Sequence, residues 1–218
     1  MAKWRAVMLS ALACAALALA GCNAVMTMAA VFTPADAAGA PVLKPGYWIS
    51  ANCTAAAALA RAAGCENGYE ITPSDMRQVD DPRLRPADAP HHDQVSSYVL
   101  VAGDPMVMQL AFADTSNGRT TDTYVYVAVK PAALDASGRI VAAQVWTVVC
   151  GPSALPDPNA PRDQDGVPPA TDHPLPGMTL GDIGCMPADK AALFGAAKAS
   201  RTLGDGYLAL HWVAESGP

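Results

Sequence analysis

Between Val95 and Cys150 the chain carries four consecutive segments of strand chemistry, and no other feature restricts the possible folds as much. Val95 to Ala102, Met106 to Ala113, Thr123 to Lys130 and Arg139 to Cys150 are each bounded by turn-forming sequence. Gly103-Asp104-Pro105, Ser116-Asn117-Gly118 and Asp135-Ala136-Ser137-Gly138 can return each segment beside its predecessor, which gives an antiparallel meander. Along the third segment Tyr124 and Tyr126 oppose Val125, Val127 and Val129. Along the fourth, Ile140, Ala142, Gln144, Trp146, Val148 and Cys150 share one face, opposed by Val141, Ala143, Val145, Thr147 and Val149. Both faces are largely apolar. Such a sheet needs cover on two sides, supplied by a helix on one face and by its own curvature or closure on the other. A ligand groove beside Tyr124, Tyr126 and Trp146 fits this surface, although aromatic residues on strands serve chiefly as core.

The flanking sequence completes an α+β class: an antiparallel, curved and barrel-like β-sheet meander, a C-terminal helix packed on it, and a short Ala-rich N-terminal helix. Gly46-Tyr47-Trp48-Ile49 reads as the first strand and Gly68 to Thr72 as another. Thr54 to Ala63 has strong helix propensity, with Gly64 placed as a C-terminal cap. Thr72-Pro73-Ser74-Asp75 has the chemistry of a helix start, with a capping hydroxyl, Pro at the first helical position and a carboxylate near the positive end. Pro187-Ala188-Asp189-Lys190 opens a helix to about Ser200, with Leu193, Phe194 and Ala197 at helical spacing and Lys198 and Arg201 at its negative end. Tyr207 to Val213 reads as a last strand, where His211 has no carboxylate partner in sequence and is expected at an edge or surface.

At the N-terminus, Lys3 and Arg5 precede the apolar run Ala6 to Ala20, the layout of a cleavable signal peptide over residues 1–21. Leu19-Ala20-Gly21-Cys22 resembles the lipobox of bacterial lipoproteins. The resemblance implies a diacylglycerol thioether on Cys22, cleavage between Gly21 and Cys22, and acylation of the new amine. Several acyl chains make a durable membrane anchor where one is marginal. Asn23 stands where Asp would retain an enteric-type lipoprotein in the inner membrane, which implies an outer-membrane anchor facing the periplasm. Residues 22–45 then read as a flexible, lipid-anchored tether, and 46–218 as a single domain. The rival is an uncleaved transmembrane helix within the uncharged span Ala6 to Ala35. Both readings leave the body outside the cytoplasm. Loss of Lys3 and Arg5 takes the net charge from −6 to about −8, which weighs against a nucleic-acid partner.

An exported chain pairs its thiols. Cys53, Cys65, Cys150 and Cys185 imply two disulfides with three possible connectivities. A straight helix from Cys53 to Cys65 would hold them roughly 18 Å apart, whereas a disulfide needs Cα atoms within about 7 Å. Local loops nevertheless close at lower entropic cost, which selects Cys53 with Cys65 and Cys150 with Cys185. The second bridge would hold the ends of a long Pro- and Asp-rich loop over residues 151–184. Metal chemistry is weakly represented. His91, His92 and Asp93 share one polar loop, but adjacent side chains on an extended chain diverge. Asp163, Asp165, Gly166 and Asp172 follow an EF-hand-like spacing, yet Pro161 takes the first ligand place and Pro168 and Pro169 stiffen the loop. No metal and no cofactor is expected.

The segments AGDPMVMQLAF, YVYVAVKP, DASGRIVAAQVW, VVCGP and HPLPGMTLGDIGC together resemble a set of uncharacterised exported proteins and lipoproteins of Gram-negative bacteria, over roughly residues 95–200. That resemblance implies no activity. The chain contains no Gly-x-Ser-x-Gly elbow, Ser-x-x-Lys pair, His-Glu-x-x-His or Gly-rich phosphate loop. The expected function is therefore a non-enzymatic, lipid-anchored binding or structural module for another envelope protein, peptidoglycan or a small ligand. A periplasmic hydrolase or transferase with scattered catalytic residues is the alternative, and no catalytic residue is assigned.

Overall fold

A computed structural model describes residues 23–51, 53, 67–80, 95–116, 119–152, 171, 173–181, 184–203 and 206–215. Eight strands close into an antiparallel barrel: β2 (Gly46–Ser50), β3 (Asn67–Ile71), β4 (Asp75–Asp80), β5 (Val95–Val101), β6 (Met106–Ser116), β7 (Arg119–Leu134), β8 (Ile140–Thr147) and β11 (Leu208–Ala214). Each is hydrogen-bonded to its neighbour in sequence, and β11 enters between β8 and β2 to close the ring. A short β1 (Met26–Thr27) pairs with β7 from outside. The hairpin β9 (Met178–Gly181) and β10 (Gly184–Pro187) precedes helix α1 (Lys190–Leu203).

Alternation along the strands sorts the apolar residues into two cores. Trp48, Ile71, Leu100, Met106, Met108, Leu110, Val129, Ala143 and Leu210 turn inward and fill the barrel, joined by Tyr69, Phe112 and Trp212. An eight-stranded barrel is just wide enough for such filling. One end is sealed by residues 43–46. Leu43 bridges Ile140, the indole of Trp48 donates to the Lys44 carbonyl (2.9 Å), and that of Trp212 donates to the Pro45 carbonyl (2.9 Å). Gly46 has φ +129° there, and a Cβ would lie 2.2 Å from the Ala214 carbonyl oxygen.

The second core lies outside the barrel, where Val107, Tyr126, Ala128, Trp146 and Val148 meet Leu193, Ala196 and Ala197 of α1 and Val25 and Phe32 of the N-terminal segment. The helix is fixed by polar contacts as well. Trp146 donates to the Ala197 carbonyl (2.9 Å), and buried Ser200 accepts from the Val149 amide (2.8 Å). Gly103 leaves room for Phe194, whose ring would meet a Cβ there at 2.4 Å.

Several sequence expectations change. Thr72 caps a hairpin turn rather than a helix, since its hydroxyl accepts the Asp75 and Ser74 amides and Asp75 begins β4. A hydroxyl satisfies backbone donors equally well at a tight turn and at a helix start. Helix α1 begins at Lys190 instead of Pro187, with the Asp189 carboxylate accepting the Ala192 amide (2.8 Å). The loop expected over 151–184 contains β9 and part of β10. Ile140 belongs to the interior core although Trp146 faces outward, because register irregularities between Pro131 and Leu134 shift the pairing of β7 with β8. His211 is half-buried on a strand paired on both sides, not at an edge. The Ala-rich helix over Thr54 to Ala63 lies outside the described residues.

The largest correction concerns residues 23–45, expected as a flexible tether. They pack along the barrel: Val25 is fully buried, Ala24 and Phe32 nearly so, and Pro34–Ala37 forms a 3-10 helix. The Ala, Pro and Gly content resembles a linker, but Val25 and Phe32 enter the core outside the barrel and Leu43 the core inside it. The same packing removes the second half of the rival transmembrane span. Among the described residues no helix is long and apolar enough to cross a membrane.

Candidate functional site

Two features of the outer wall combine recessed positions with polar groups. The first is a junction built around Cys150–Cys185, a disulfide with Cα atoms 5.7 Å apart. The expected pairing is present, and both cysteines are fully buried. The Cys150 amide donates to the Asn23 carbonyl (2.7 Å), and the Cys150 carbonyl accepts the Leu175 amide (2.7 Å). The Asn23 side chain donates to the Gly151 carbonyl (2.8 Å), and Val25 bridges Cys185. Three separate stretches therefore meet at one covalent link.

The second feature is a groove of about 450 Å³ on the outer face of β5, β6 and β7. Its position follows from register. Asp75, Ser97, Ala111, Tyr124 and Thr27 stand opposite one another across β4, β5, β6, β7 and β1. Strand spacing places Asp75 and Tyr124 about 14 Å apart at the backbone. Small side chains at Ser97, Ala111 and Ala113 form the floor between them, and Asp122 lies opposite Ala113. Ala30, Phe32 and Pro34 supply a wall from the N-terminal segment.

Gln109 holds that wall. Its Oε1 accepts the Val31 and Phe32 amides (2.8 and 2.9 Å), and its Nε2 donates to the Phe32 carbonyl (2.9 Å). One buried side chain thus does the work of a strand partner where β1 has ended. Beside it, Tyr126 shares a hydrogen bond with the Thr27 hydroxyl (2.7 Å), and burial raises its pKa. The 3-10 helix is tied to α1 through Asp36 and Lys190 (2.5 Å).

The groove's titratable groups are largely committed to structure. The Tyr98 hydroxyl donates to the Thr72 carbonyl (2.8 Å), and burial together with the nearby Asp75 carboxylate pushes its pKa up to about 12. It remains a proton donor and not a base. Asp75 accepts from the Ser74 hydroxyl (2.5 Å). Among the described residues, no Lys, Arg or His lines the groove, so Asp75 and Asp122 give it a negative potential.

No protein-family model, curated protein or solved structure matches this chain.

Of the residues singled out in sequence, Tyr124 lines the groove, whereas Tyr126 and Trp146 are buried beneath the N-terminal segment and α1. Cys53 is buried and disulfide-bonded. Cys22, Cys65, His91, His92, Asp93, Asp163, Asp165, Gly166 and Asp172 lie outside the described residues. The described residues contain no cluster of three or more metal-ligating side chains. Gln109, Ser97, Asp75 and Asp122 were missed. Gln109 had a signal, being a long polar residue on the otherwise apolar row Val107, Gln109, Ala111, Ala113.

Proposed function

We propose that this chain is a lipid-anchored, non-enzymatic binding protein of the bacterial cell envelope, and that it holds its partner in the groove beside Tyr124. The lipobox-like Leu19-Ala20-Gly21-Cys22 supports the address, with the outer membrane favoured by Asn23. A barrel stapled by a buried disulfide suits an oxidising compartment. The groove carries the binding reading: its floor is small and open, and its polar groups serve to orient rather than react. Two carboxylates without a lining cation fit a ligand that presents positive charge, such as an amine-bearing peptide or envelope polymer.

The test uses crosslinking in intact envelopes followed by capture of the full-length chain. Ala113→Trp fills the exposed floor without touching either core. It should abolish a crosslinked partner that Ala191→Ser, at an exposed position of α1, leaves intact. Equal capture by both variants would refute the groove as the binding site. Turnover of a peptide or glycan substrate that is lost in Asp122→Asn would instead favour the hydrolase alternative.

A further inference from the structure

We infer that, in the lipoprotein just proposed, the barrel is docked directly on the bilayer, with the β9–β10 hairpin beside the anchor seated at the headgroup level. The inference rests on lipidation of Cys22, and it comes from the packing of the residues that follow it. A flexible tether over 22–45 would give the domain an r.m.s. reach of roughly 27 Å. The structure leaves no such leash. Asn23 is 9% exposed and hydrogen-bonded to Gly151, Ala24 bridges Val149, and Val25 bridges Cys185. Peptide geometry places the Cα of Cys22 about 3.8 Å from that of Asn23. Acyl chains on Cys22 therefore enter the membrane within one residue of the folded surface.

That surface has suitable chemistry. β10 begins alongside the emerging chain, since a Cβ on Gly184 would lie 2.8 Å from the Ala24 carbonyl oxygen. The hairpin exposes Leu180 (46%) and Met186 (47%), and the Met186 methyl reaches toward Gly181 at the hairpin's tip. Register sets Leu180 opposite Cys185 and Met186 opposite Thr179, so the two exposed side chains leave opposite faces of the hairpin, and a hairpin entering the interface edge-on would have both covered by lipid. The disulfide fastens this hairpin to the end of β8, so the orientation is rigid.

Energy transfer from the native tryptophans to a dansyl-labelled lipid reports the distance. Trp146 is the near donor, three residues before Val149, which pairs with Ala24. The full-length protein, processed in cells, is reconstituted into phosphatidylethanolamine/phosphatidylglycerol vesicles, and acylation of Cys22 is read by mass spectrometry of its N-terminal peptide. Inserting twelve Gly/Ser residues between Cys22 and Asn23 should lower transfer at least twofold. Leu180→Asn with Met186→Asn should also lower it, because the hairpin tip then gains nothing from the interface. Unchanged transfer in a variant that carries both the spacer and the two Asn substitutions, in protein shown to be acylated, overturns docking while leaving the lipoprotein reading intact. An unacylated Cys22 in membrane-bound protein overturns both.

Discussion

Replacing Cys150 and Cys185 together by Ala should cost about 4 kcal/mol. The bridge joins residues separated by 35 positions, and the loop-closure relation for a cross-link of that span gives about 3.8 kcal/mol at 25 °C through restriction of the unfolded chain. The native state loses little packing volume, because Ala keeps each Cβ and only two sulfur atoms leave. For a domain of this size about 4 kcal/mol corresponds to a fall of roughly 8 to 15 °C in Tm. The measurement is reversible urea unfolding of the double variant against the parent, the Cys53 bridge being left in place. The loss should also be uneven. Cys150 and Cys185 join the N-terminal segment, the end of β8 and the β9–β10 hairpin, so amide exchange should accelerate first at Ala24, Val25 and residues 178–181 and 184–186, ahead of β6 and β7. A cost below about 1 kcal/mol with the native spectrum retained would show that hydrogen bonds at the junction suffice without the covalent link. Uniform acceleration throughout the barrel would refute the local role.

Gln109→Leu should destabilise by about 3 kcal/mol or more, because the Val31 and Phe32 amides and the Phe32 carbonyl all lose their partner in a largely buried place; urea unfolding measures it, and fast exchange at Val31 and Phe32 would locate the damage. Asp36 is held at a pKa of about 2, below its ordinary 3.8, by the Lys190 ammonium first and then by the Thr33 amide and hydroxyl. Its folded pKa is depressed, so its contribution is complete above about pH 4 and is lost as pH falls through about 2. Lys190→Met should return the Asp36 carboxyl titration toward 3.8 by carbon NMR, and a midpoint that stayed near 2 would assign the shift to Thr33 alone.

The meander was legible because it rests on local signals. Alternation and short turns fix β5 to β8 without knowledge of distant partners, and the pairing of Cys150 with Cys185 follows from the loop between them. Closure was harder to read. β11 reaches β2 across most of the chain, and nothing in Leu208 to Ala214 names Trp48 or Ile49 as its partners. The N-terminal segment was misread for a related reason. Ala, Pro and Gly do not reveal that Val25 and Phe32 will find recesses formed by strands 75 to 120 residues away. Thr72 shows a different limit, since a capping hydroxyl looks the same before a helix and before a two-residue turn. The groove depends on which side chains are short at matching register, Ser97, Ala111 and Ala113. Short residues leave little trace in a pattern read for hydrophobicity.

The order of contacts along the N-terminal segment has a mechanical meaning. Starting from the proposed lipid attachment point, the chain meets the disulfide junction first, through Asn23 and Val25. The β1 ladder to β7 follows at Met26 and Thr27, and only then comes the Gln109 clamp at Val31 and Phe32. A load applied at Cys22 is therefore taken by a covalently fastened junction before it reaches the wall of the groove. The groove wall is braced from its other end by Asp36 on Lys190. In the proposed lipoprotein, a segment in which anchor, junction and wall follow one another in this sequence would keep membrane motion from reaching the proposed binding surface. Thinning the junction by removing the disulfide should break that insulation before it unfolds the barrel, because the barrel's own ladder closes through β11 and β2 without using Cys150 or Cys185.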